Sequence, residues 1–118
     1  MPHVSRYKLS REQIEKISQQ LVDVSLRFKN SAELSSFFDD LLTQTEKIML
    51  GKRFLIGLFL ERGYSYASIR NILKVSDATI GTISAQLHRQ GKGFRLAFER
   101  IGHQEKVNVL LKNIEKLF

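Results

Sequence analysis

The sequence predicts an all-α fold. Apolar residues recur at steps of three and four along most of its length, the spacing that puts one stripe on a helix. Helix-start signatures precede several of these stretches, and no run alternates as a strand would. The chain has 118 residues and one proline, Pro2, so little in its interior interrupts a helix.

The first helix is expected over residues 10–29, where Ile14, Ile17, Leu21, Val24 and Phe28 share one stripe. Ser10 followed by Gln13 has the form of a capping box. Asn30 and Ser31 break the pattern, and Ser31 can cap a second helix that turns Leu34, Phe37, Phe38, Leu41 and Leu42 inward. Thr43 with Glu46 three residues on starts a third, which runs to about Arg62 and stops at Gly63. Its second half, Phe54 to Leu60, is apolar nearly all round and should be covered on several sides, in part by a second subunit. Past Gly63 a short helix carries Ile69, Ile72 and Leu73. Lys74-Val75-Ser76 interrupts it, and Ser76 or Asp77 caps the next, whose inward residues are Ile80, Ile83 and Leu87. Gly91 and Gly93 end that helix. Phe94, Phe98 and Ile101 follow, Gly102 is a weak break, and Val107 to Leu117 form a last amphipathic stretch.

Composition narrows the function. A chain of this length buries roughly two-thirds of its unfolded surface and makes a core unaided. Hydrophobic residues are 42% of the total, and there is no cysteine, which excludes disulfides and cysteine–zinc sites and suits a reducing cytoplasm. The start, MPHVSRYKLS, lacks the apolar stretch of a signal peptide, and no run is long enough to span a bilayer. Nineteen basic against twelve acidic residues leave a net charge of +7. Residues 1–30 carry six basic and three acidic residues, 31–62 four and five, and 63–118 nine and four. Basic ends around a neutral middle suit a polyanion, nucleic acid before an anionic membrane, although charge also serves solubility alone.

The informative stretch is 65–90. Two short helices flank a three-residue turn, the layout of a helix-turn-helix. With Ile80, Ile83 and Leu87 inward, Thr79, Thr82, Gln86 and Arg89 share the opposite face with Ala78 and Ala85. A helix entering the major groove must present short polar side chains, and Thr and Gln can read base edges there. Solvent faces are usually rich in Glu and Lys, unlike this one. Thr79, Thr82 and Gln86 are therefore expected at base edges, and Arg70, Lys74, Arg89, Lys92 and Arg95 at phosphates. Asp77 is read as a helix cap, since a carboxylate in the groove meets phosphate repulsion.

Leu42 to Arg53, with Leu50-Gly51-Lys52-Arg53 at its end, looks like the start of the central helix of the tryptophan repressor family. Ser65 to Leu73 and Ala78-Thr79-Ile80 resemble that family's two DNA-binding helices. The resemblance covers roughly residues 10–95 and implies an intertwined all-helical homodimer. Residues 10–62 would form its dimerisation core, 65–90 the helix-turn-helix and 94–118 the C-terminal helices of a single domain spanning 1–118. Two-fold symmetry then implies a pseudo-palindromic operator, with reading helices roughly 34 Å apart. In the family two arginines sandwich the indole of tryptophan. Arg53 corresponds to the first, and Thr43 to a threonine lining the same pocket, so these two form a possible effector pocket. The second arginine falls at Thr82, which cannot stack on an indole. Tight tryptophan binding is not expected, no effector can be named, and no cofactor is implied.

Other signals are weak. Asp39-Asp40 with Glu46 lacks a nearby histidine, and His3, His88 and His103 lack metal-ligand spacing. Gly91-Lys92-Gly93 is too short for a phosphate loop, and Tyr64 and Tyr66 read as packing residues. No catalytic or metal site is expected. The sequence thus reads as a cytoplasmic, homodimeric, sequence-specific regulator of transcription bound to double-stranded DNA, acting as a repressor without tryptophan. The alternatives are a helical protein-interaction module and the DNA-binding part of a mobile-element protein.

Overall fold

A computed structural model describes residues 8–101 together with Lys112, Asn113 and Lys116. Among these residues every regular element is helical, in the order α1 (Arg11–Ser25), α2 (Ser31–Leu41), α3 (Gln44–Glu61), α4 (Tyr66–Leu73), α5 (Asp77–Arg89) and α6 (Lys92–Ile101). The chain divides into two compact units, residues 1–44 and 45–118. Gly102, His3, His103 and most of the expected amphipathic stretch after Val107 lie outside the described residues.

In the first unit the Ser10 capping box forms as expected: Gln13 N donates to Ser10 Oγ at 3.1 Å, and Ser10 N to Gln13 Oε1 at 2.8 Å. The helix is shorter than the apolar spacing implied. It ends at Ser25, so Phe28 leaves the stripe and packs its ring 5.2 Å from Phe37. The cap of α2 is Asn30 rather than Ser31. Asn30 is extended and accepts from Glu33 N at 3.0 Å, while Glu33 takes Lys29 N at 2.8 Å. A preferred capping residue already in β geometry stands one place earlier than the serine. Neither helix buries a residue completely. Leu34, Phe37, Phe38 and Leu42 are half-buried and Leu41 is exposed, against the expectation for that position.

The second unit holds the core, built on α3. Gln44 is its first residue, which leaves Thr43 at the cap position. The all-round apolar half is covered by this chain itself: Ile56, Leu58 and Phe59 are fully buried, with Phe54, Leu55 and Leu60 half-buried beside them, so these three need none of the cover expected from a second subunit. Each such side chain contributes about 1.5–3 kcal/mol relative to exposure. The helix stops at Gly63, whose φ of +83° is open to glycine at no steric cost. There Tyr64 N reaches Phe59 O at 3.0 Å and Gly63 N reaches Leu60 O at 3.1 Å, a Schellman closure. The rings of Phe59 and Tyr64 meet edge-on at 4.5 Å across it, so Tyr64 packs as expected, whereas Tyr66, read as a packing residue too, is exposed.

Ile69 and Leu73 of α4, Ile80 and Ile83 of α5 and Phe98 of α6 complete the core around α3. Gly93 does not end α5. It lies inside α6, because Lys92 already begins that helix. Gly91 does occupy the junction. A Cβ there would stand 2.6 Å from the Leu87 carbonyl oxygen, so no side chain fits while α5 turns directly into α6.

Candidate nucleic-acid interface

Local chemistry sets each part of the hairpin in α4 and α5. Ser65 caps α4, its Oγ accepting from Ser68 N at 3.1 Å. Lys74 closes α4 in the left-handed region (φ 55°, ψ 56°), with its N–H on Arg70 O at 3.0 Å. From the central helix, Lys52 Nζ donates to the Lys74 carbonyl at 3.4 Å and ties the turn to α3. Ser76 then caps α5: its Oγ accepts from Thr79 N at 3.1 Å and shares a second hydrogen bond with Thr79 Oγ1 at 2.9 Å.

Asp77 is not the cap. Ser76 already fills that place, and the Asp77 carboxylate turns instead to α4, where Arg70 Nη1 donates to Oδ1 at 2.8 Å. Sequence reading missed this pair, because residues seven apart on different helices meet only once the turn brings them together. It also missed Lys52 as a support of the turn.

The expected face of α5 is present. Ile80 and Ile83 are buried and Leu87 half-buried, while Ala78, Thr79, Thr82, Ala85, Gln86 and Arg89 are all exposed. Hydrogen bonding distinguishes the three proposed base-reading side chains. Thr82 Oγ1 donates to Ala78 O at 3.0 Å, which commits its proton and leaves its lone pairs as acceptors. Thr79 Oγ1 is engaged with Ser76. Gln86 has no side-chain partner among the described residues and keeps both donors and its acceptor, the set that can pair bidentately with adenine.

The five basic residues expected at phosphates are exposed. The side chains of Lys74, Arg89 and Lys92 have no hydrogen-bonding partner among the described residues. Arg70 is held by Asp77, and Arg95 Nη2 donates to Leu87 O at 2.8 Å, on the last turn of α5. The two residues of the possible effector pocket are both exposed, Thr43 in the first unit and Arg53 in the second. A cleft of about 380 Å³ lies on the side of α5 away from Thr79, Thr82 and Gln86, lined by Leu60, Glu61, Ser84, Leu87, His88 and Arg95, and it includes neither of them.

No described helix is long and apolar enough to cross a membrane. Among the described residues no group of three His, Cys, Asp or Glu side chains could hold a metal ion.

Comparison with known proteins adds to this geometry. The crystal structure of a Staphylococcus aureus protein provisionally described as a Trp repressor matches with a TM-score of 0.68 at 31% sequence identity. The match covers 75% of this chain and 93% of that one. No curated protein matches the sequence significantly. The family described as Trp repressor protein matches residues 16–102, from within α1 to just past α6. Six helices in this order, with the hairpin of α4 and α5 inside the matched span, belong to a member of the Trp repressor family.

Proposed function

We propose that the protein is a sequence-specific regulator of transcription that binds double-stranded DNA as a homodimer and represses by occupying its site. Its family is one of DNA-binding regulators rather than enzymes. The observation that carries the reading is the exposed face of α5. From Ala78 to Arg89 that helix has no carboxylate, and Thr79, Thr82 and Gln86 stand along it over a buried Ile80–Ile83 footing. Gln86 and, as an acceptor, Thr82 meet base edges, with Thr79 beside them at the start of the helix. Lys74, Arg89 and Lys92 take phosphates, which sets the register on the duplex. Arg70 and Arg95 join them only by leaving their partners inside the protein.

The dimer reading is supported by α1, which leaves Ile14 48%, Ile17 59% and Leu21 43% exposed in the single chain. Three large apolar side chains on one stripe of a capped helix suit burial against a second copy. Independence from tryptophan is supported by Thr82, whose hydroxyl is bonded to its own helix where the family pattern has an arginine.

Selection from a random duplex pool tests the proposal, run with and without L-tryptophan. Enrichment of a two-fold symmetric sequence in both arms is expected. Enrichment only with tryptophan would refute ligand independence. No retention even at low salt would refute DNA binding and favour a protein-interaction module.

A further inference from the structure

Asp77 is the one carboxylate in residues 63–98, a stretch that also holds Arg70, Lys74, Arg89, Lys92 and Arg95. It stands at the first residue of α5, where the proposed reading helix begins. Its usual duty there is already discharged, because Ser76 caps the helix and bonds Thr79 twice. The carboxylate instead holds Arg70 Nη1 at 2.8 Å, with side chains 45% (Arg70) and 59% (Asp77) exposed. An ion pair this open to water contributes little to folding. It does neutralise one cation of the hairpin and hold that guanidinium against the Asp77 carboxylate.

We propose that Asp77 is a built-in brake on sequence-independent DNA binding: it holds Arg70 off the phosphate backbone and so sets how tightly the protein grips DNA of any sequence. The inference rests on the DNA-binding reading above. Each phosphate neutralised by a protein cation releases condensed counterions, so the affinity contributed by Arg70 is governed by salt. While Asp77 keeps Arg70, that contact is not made. Asp77 is a positioning residue here, acting through Arg70 rather than on a base.

The experiment measures affinity for a duplex of arbitrary sequence by fluorescence anisotropy across a series of potassium chloride concentrations. It compares the unsubstituted protein with Asp77→Asn, Asp77→Ser, Arg70→Gln and the double variant Arg70→Gln/Asp77→Asn. Ser76, the cap of α5, is unchanged in every variant, so α5 keeps its beginning. With Asp77 neutral, affinity near physiological salt rises about fivefold per protomer, and the slope of log K against log salt steepens by about 0.9 per protomer. In the Arg70→Gln background the same change at Asp77 brings little of that gain. Unchanged affinity and slope in both neutral variants would overturn the inference. So would an equal gain in the Arg70→Gln background, which would mean that Asp77 acts by direct repulsion alone. Failure of the wild-type protein to bind duplex at low salt would overturn the DNA-binding reading itself, and the brake with it.

Discussion

Arg95 Nη2 donates to the carbonyl oxygen of Leu87 at 2.8 Å, so α6 closes the last turn of α5. A helix ends with unpaired carbonyls and partial negative charge, and a guanidinium there satisfies both. Arg95→Ala should lower stability by about 1 kcal/mol in urea denaturation. If Arg95 stays with Leu87 when DNA is bound, the slope of affinity against salt is unchanged in the variant. A slope flattened by about 0.9 per protomer would assign the residue to a phosphate.

Ser76 and Asp77 are neighbours with separable roles. Ser76→Ala removes the cap of α5 and the hydroxyl partner of Thr79, and should cost about 1 kcal/mol. Asp77→Ala leaves that cap in place, removes an exposed ion pair and a first-turn carboxylate, and should cost less than about 1 kcal/mol. Thermal denaturation of both variants checks the order. A larger loss from Asp77→Ala would return the capping role to the carboxylate.

Gly57 faces the aromatic rings of α6. A Cβ built on it would lie 3.0 Å from Phe94 Cε1 and 3.3 Å from Phe98 Cζ. Those two rings are themselves packed with centroids 5.9 Å apart. Gly57→Ala should therefore strain the core and lower stability by about 1–3 kcal/mol, despite alanine's better helix propensity. A stabilised variant would show that α6 has room to move away from α3.

The stripe of α1 gives a test of assembly. Light scattering of the wild-type protein at micromolar concentration should report a dimer, and Leu21→Lys should shift it toward monomer, because a charge replaces an apolar side chain in the proposed contact. A wild-type monomer would refute the dimer reading.

Base reading and phosphate binding predict different phenotypes. Lys92→Ala should weaken binding to every sequence alike and reduce the salt slope by about 0.9 per protomer. Gln86→Ala should leave that slope unchanged and relax the preference at one position of the selected site, at a cost of about 1–3 kcal/mol for the preferred base. Repeating the duplex selection on each variant separates the two.

Much of this protein follows from its sequence by itself. The all-α class, the start of α1 at Ser10, the stop of α3 at Gly63 and the hairpin of α4 and α5 are local. Each is written in residues within a few positions of one another, where propensity, capping and helical period act. The exposed face with Thr79, Thr82 and Gln86 follows from the same period, once Ile80 and Ile83 are known to be inside. Tertiary structure decided what depends on distant partners. The fate of Arg70 and Arg95 depended on the turn bringing Asp77 into reach and on α6 folding back on α5. A charge pattern along a chain counts cations. Only packing determines which of them the protein keeps for itself and which remain for a partner.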